Sequence, residues 1–185
     1  MASGWCSSLA LCLALALAAV PARATVYATQ DAALHDAFPD ADAIEAKSYV
    51  LDDAQAARVQ ALAETPLDRK LWTIHTARRA GETLGYAVLD MRTVRTLPEA
   101  LLVVLTPDGA VRSLRILAFH EPAEYQPSPR WLALFEGRRL DGELRLKRGI
   151  QQIAGATLSS QSVTRAVRTA LALYQVLIQT PGGAE

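Results

Sequence analysis

Four apolar runs follow one another between residues 70 and 119 with only short polar breaks between them, and that arrangement leaves few folds open to the chain. Residues 71–77, 84–91, 100–106 and 110–119 each have the length and composition of a strand. A turn near Gly81 separates the first two, and Thr106-Pro107-Asp108-Gly109 separates the last two. In that tetrad Pro presets the bend and Gly relieves it, so the flanking runs fold back on each other as a hairpin. The whole region reads as an antiparallel sheet.

Helical segments lie on both sides of the sheet. A short helix is expected over residues 31–38, stopped by Pro39, and residues 46–51 read as extended. Asp52 is a natural N-cap for the next helix. With Gln55 three residues on it forms a capping box, and Val59, Leu62 and Ala63 supply one apolar face until Thr65-Pro66. After the last strand, residues 120–137 read as a loop and a short helix. Ser128 is the N-cap, Pro129 the first helical residue and Gly137 the stop, with Trp131, Leu134 and Phe135 on the buried side. Residues 138–150 are basic and alternate toward their end. A solvated edge strand protected by its charges is one reading, and a strand face set beside a phosphate is the other.

The last helix is announced by Ala154-Gly155-Ala156-Thr157-Leu158-Ser159-Ser160. Val163, Val167, Ala170, Leu171, Tyr174 and Ile178 recur at helical spacing behind it, while Gln161, Thr164, Arg165, Arg168 and Gln175 fall on the opposite face. One side should pack and the other stay wet. Gly155 and Ala156 allow a group to approach the backbone closely, and the free N–H groups and positive dipole end of the first turn suit an anion such as a phosphate. Thr and Ser before a helix are equally ordinary N-capping chemistry, and spacing alone does not choose between the two.

Composition removes several kinds of chemistry. Within Met1 to Ala24, Leu9 to Val20 is almost wholly Leu and Ala and the stretch ends in Ala22-Arg23-Ala24, the small-x-small pattern of a cleavable signal peptide, so Thr25 is the expected first mature residue, with an uncleaved anchor as the rival reading. Both cysteines, Cys6 and Cys12, would leave with it, and a mature chain without Cys has neither a disulfide nor cluster ligands. His35, His75 and His120 have no metal-ligand spacing, so no metal site is expected. Acidic and basic residues balance, and loss of Arg23 leaves a formal charge of about minus one, which gives no footprint for nucleic acid.

The Gly155-Ala156-Thr157-Leu158-Ser159 stretch resembles the flavinylation motif of the FMN-binding domain family, to which the flavin subunits of the sodium-pumping NADH:quinone oxidoreductase and of the Rnf complex belong. In that motif the final Thr or Ser is esterified to the FMN phosphate, and by position the acceptor here is Ser159. Gln151 stands where the family usually has Asp, and Ala154 where it usually has Ser or Thr. The resemblance implies a single α+β domain over residues 25–180, an antiparallel sheet flanked by helices, with a short tail at 181–185. It implies FMN as cofactor, covalently attached, with Gly155, Ala156, Thr157, Leu158, Ser159 and Ser160 as the binding turn. Glu121 and Tyr125 lie on the loop that comes near the isoalloxazine in family members. Glu121 would accept a hydrogen bond from the flavin, and Tyr125 would lie along the ring face.

The function so implied is periplasmic electron carriage. Its partners would be an FAD:protein FMN transferase and a membrane-bound redox partner, either a quinone-linked complex or a cytochrome. No residue is assigned a catalytic role toward a substrate. Two other classes stay open: an exported binding or assembly module that keeps the fold without the flavin, motivated by Gln151 and Ala154, and a flavin-dependent reductase of a soluble substrate.

Overall fold

The computed structural model describes Thr25, Val26 and residues 29–179. The expected signal peptide at 1–24 and the tail at 181–185 lie outside the described residues. The chain runs β1 (Thr25–Val26), α1 (Gln30–Ala37), β2 (Ala43–Val50), α2 (Asp53–Ala63), β3 (Leu71–Arg79), β4 (Glu82–Thr93), β5 (Pro98–Leu105), β6 (Val111–Phe119), α3 (Pro129–Leu132) and α4 (Thr157–Tyr174). The strands β2 to β6 form an antiparallel meander in chain order, and the two residues of β1 add to the outer side of β6. The α+β class expected from the sequence is the class found.

Turn chemistry sets the hairpins. Between β3 and β4, Ala80 and Gly81 both have positive φ (49° and 84°), as a two-residue turn matched to strand twist requires. Asp42 Oδ2 accepts the Ala80 N–H at 2.7 Å and fixes the turn to the start of β2. Between β5 and β6, the Thr106 N–H donates to Ala110 O and the Gly109 N–H to Thr106 O (2.8 and 3.0 Å). Gly109 has φ 78°, and a Cβ there would lie 2.2 Å from the Tyr174 ring, so both backbone and packing require glycine.

The sheet is covered on both faces, which is why β5 reads as a continuous apolar run instead of alternating. One face carries Ala77, Ala87, Leu102, Val104 and Leu117 under α1. The other carries Trp72, Ile74, Val88, Leu101, Val103 and Leu105 under α2, α3 and α4. The capping box of α2 forms as read from the sequence: Asp52 Oδ1 accepts the Gln55 N–H at 2.7 Å, and Gln55 Oε1 accepts the Asp52 N–H at 3.2 Å.

Three expectations fail for reasons of packing. Residues 138–150 form no edge strand; they make a loop that bonds mainly to itself, with Gly149 N–H donating to Glu143 O and one parallel bridge between Leu146 and Ile150. Leu144 and Ile150 are buried and pin the loop to the core. The exposed edge strand is β2, which carries Glu45 and Lys47. Leu134 is 41% exposed because α3 tightens after Leu132 into a 3₁₀ turn, whose larger rotation per residue turns Leu134 outward while Trp131 and Phe135 stay buried. Finally, α4 has no broad wet face: 14 of its 18 residues are buried, Thr164 and Arg168 among them. The C-terminal end of α2 and the 141–144 segment cover the side that the polar pattern left for water.

Candidate functional site

The N-terminus of α4 differs from the other helix starts. Thr29, Asp52 and Ser128 cap α1, α2 and α3 through their side chains, whereas Ala156 gives α4 no side-chain cap. The first intrahelical bond runs from Ser160 N–H to Ala156 O, so the N–H groups of Thr157, Leu158 and Ser159 have no partner among the described residues. Gly155, at φ 80°, turns the chain into the helix with open space where its side chain would be.

The loop before the helix is held from behind. Ser160 Oγ donates to Ala156 O (2.9 Å) and accepts the Ile153 N–H (3.2 Å), so this buried hydroxyl shapes the loop. The Gln152 amide donates to Thr157 Oγ1 at 2.8 Å. Trp131 Nε1 donates to Gln151 O at 2.6 Å, which ties the loop to α3.

A cavity of about 210 Å³ opens in front of this turn, lined by Gly155, Ala156, Thr157, Leu158, Ser159, Glu121, Tyr125 and Arg95. Seven of the eight residues named from the sequence therefore meet in one place; Ser160 lies behind the turn and does not line it. Ser159 is 2% exposed, and its hydroxyl makes no hydrogen bond among the described residues. Leu158 stands at the rim, 44% exposed.

Glu121 carries a structural task besides the one expected of it. Its Oε1 accepts three backbone N–H groups, from Arg95, Thr96 and Leu97, at 2.9–3.0 Å. These bonds, that from Thr96 foremost, hold the carboxyl below its ordinary range. Glu121 thus clamps the β4–β5 connection against the site and brings Arg95 to the cavity, with its guanidinium 5.5 Å from the centre of the Tyr125 ring. Sequence reading missed Arg95, since nothing local marks a connecting-loop arginine as facing a helix sixty residues away. Replacement of Glu121 by Ala is expected to speed amide hydrogen exchange at Arg95, Thr96 and Leu97 about tenfold or more, the equivalent of about 1.4 kcal/mol. Unchanged exchange there would show that the clamp carries no energy.

A second polar cluster sits beneath the same turn. Glu99, 2% exposed, accepts a hydrogen bond from Ser162 Oγ to Oε2 at 2.8 Å, while its Oε1 has no partner. Arg92, its cross-strand neighbour, pairs with Asp90 and leaves Nε buried without a partner. Asp90 also accepts from Arg69 at 2.9 Å. Burial pushes the Glu99 carboxyl up to about 7, against the pull of Ser162 and Arg92. Sequence reading missed this cluster, because Arg92 and Glu99 fall in the break between the strands expected at 84–91 and 100–106. Among the described residues no group of His, Cys, Asp or Glu is arranged to hold a metal ion.

Comparison with known proteins converges on this region. The model of the FMN-binding domain family matches residues 98–172, the stretch from β5 into α4 that supplies every lining residue of the cavity except Arg95. Among solved structures, the chain is similar in fold to Shewanella oneidensis NqrC, at 14% sequence identity and a TM-score of 0.50, over 77% of this chain and 84% of that one. No curated protein sequence matches.

Proposed function

We propose that this chain, which over residues 98–172 belongs to the FMN-binding domain family, holds FMN by its phosphate at the first turn of α4, covalently through Ser159, and works as an exported electron carrier. The observation that carries the reading is the uncapped helix start: three free N–H groups, a positive dipole end and the unpaired Ser159 hydroxyl face one cavity.

The residues present fit the group. A space of about 210 Å³ lies below the roughly 300–1,000 Å³ of pockets that enclose a whole drug-sized ligand. It suits the phosphate and the chain beyond it, and Tyr125, Arg95 and Leu158 are the residues that would hold the ring system. FMN supplies the redox chemistry, taking up and releasing electrons one or two at a time. Gly155 admits the phosphate to the backbone, the N–H groups of residues 157–159 bind it, and Arg95 adds a positive charge at the rim. Attachment forms a bond between Ser159 Oγ and the FMN phosphorus as the pyrophosphate bond of FAD breaks; AMP leaves and the hydroxyl proton passes to the transferase. Electron exchange would be with a membrane-bound partner, and a covalent bond would prevent loss of the cofactor in the periplasm, the compartment to which residues 1–24 would direct the chain.

The test is the intact mass of the protein co-expressed for export with a flavin transferase, measured after denaturation and removal of small molecules. A mass gain of one FMN residue on the Ser159 peptide, lost completely in Ser159→Ala, is the expected result. Flavin retained by denatured Ser159→Ala would overturn the acceptor assignment. A coloured protein of unmodified mass would reduce the reading to non-covalent FMN, and a colourless one would favour a flavin-free module, the outcome that Gln151 and Ala154 would then explain.

A further inference from the structure

The outer side of α4 carries a second, larger cavity that the flavin reading leaves unused. It measures about 430 Å³ and lies between the C-terminal end of α2, the 145–147 segment and the α4 face bearing Thr157, Gln161, Thr164 and Arg165. Four cations line it against one acid, Glu64. Two of these charges belong to the frame: Arg168 is saturated by main-chain carbonyls, and Arg145 pairs with Glu64 through one terminal nitrogen. Lys147 and Arg165 have no acidic partner among the described residues, and Arg145 Nε is buried without a hydrogen bond.

The frame is rigid where it presents Lys147. That residue has φ 63°, a conformation unfavourable for a side chain of its kind, and its N–H donates to Ile150 O at 3.0 Å while Gly149 N–H ties the same loop to Glu143 O at 2.9 Å. The neighbouring polar groups, Gln152 and Gln161, can donate hydrogen bonds, and no aromatic ring lines the space.

We infer that this cavity is a second binding site, for a small phosphate-class oxyanion, held by Lys147 and Arg165, the two cations left without an acidic partner among the described residues. A guanidinium matches the geometry of phosphate oxygens, and a lysine adds a compact charge. The lining is cationic and rich in hydrogen-bond donors, with no aromatic ring among its residues, so the ligand is recognised through its phosphate. The site is distinct from the flavin cavity because the two use different faces of α4, with Thr157 alone common to both. It does not depend on the flavin reading.

Calorimetric titration of the purified protein, with and without flavin, against inorganic pyrophosphate at low ionic strength tests it. One saturable site is expected, weakened by about tenfold or more in Lys147→Gln and in Arg165→Gln, with melting temperature and flavin content unchanged. Absence of saturable binding up to about 10 mM, a weak-site limit on the affinity scale, would overturn the inference. So would equal affinity of both variants and parent. Succinate binding as tightly as pyrophosphate would overturn the phosphate class, and loss of flavin from the variants would assign these cations to the flavin site instead. The flavin reading is judged separately by the mass of the Ser159 peptide.

Discussion

Replacing Arg168 by Met is expected to lower the unfolding free energy by about 3–5 kcal/mol, the range for removing one member of a buried, hydrogen-bonded charge arrangement. The side chain enters from α4, where the residue is 5% exposed, and its guanidinium donates to four carbonyls. Nε reaches Ala63 O at 2.8 Å and one terminal nitrogen reaches Leu62 O at 3.0 Å; the other reaches Asp141 O and Leu144 O at 2.9 and 3.2 Å. The first two belong to the last turn of α2, which has no basic residue of its own. Arg168 therefore caps α2 from another element, meets the negative end of its dipole and fastens the 141–144 segment across α4. Met fills comparable volume but leaves these acceptors facing apolar groups, each a cost of about 1–3 kcal/mol if water cannot enter. Lys should not rescue, because one ammonium cannot span acceptors on two sides of a planar fork. Equilibrium urea unfolding decides the matter, and a loss below about 1 kcal/mol would show that water replaces the guanidinium at no great cost.

Arg168 also shows what a sequence conceals. Its place in the pattern is that of a solvated helix face, since the residues that surround it lie some 25 and 105 positions away. Glu121 is the same case: nothing near this loop carboxylate in the chain marks the three N–H groups, about 25 residues earlier, that its Oε1 accepts. Both are governed by which distant backbone ends unsatisfied, and no local signal encodes that. By contrast, the hairpin at Thr106-Pro107-Asp108-Gly109, the Asp52–Gln55 box and the Ser128–Pro129 helix start were legible, because turn and cap chemistry is complete within four residues. The 138–150 segment was misread because alternation of charge and Leu imitates a strand, whereas its leucines anchor a loop to the core. That the 155–159 turn opens on a cavity was legible through Gly155 and through resemblance; its opposite wall, built on Arg95, was not.

Glu99→Gln is expected to stabilise the protein by about 3 kcal/mol at pH 8 and to change little at pH 5. The folded carboxyl is pushed up to about 7 from an ordinary 4.5, chiefly by burial. In that window the folded state keeps a proton that the unfolded state has released. The group's contribution to stability is therefore full below about pH 4.5 and is lost as pH rises through about 7. A displacement of this size corresponds to about 3 kcal/mol. Gln cannot titrate, keeps an oxygen for the Ser162 hydroxyl and removes the need to bury an ion whose Oε1 has no partner. Unfolding free energies of parent and variant at pH 5 and pH 8 give the answer, since only the difference between the two pH values isolates the proton. An equal effect at both would mean that Glu99 is ionised throughout. The charge would then have to be held by Arg92, whose unpartnered Nε lies on the adjacent strand, and the floor beneath the Ser159 turn would be an ion pair instead of a carboxylic acid ready to take up or release a proton near neutral pH.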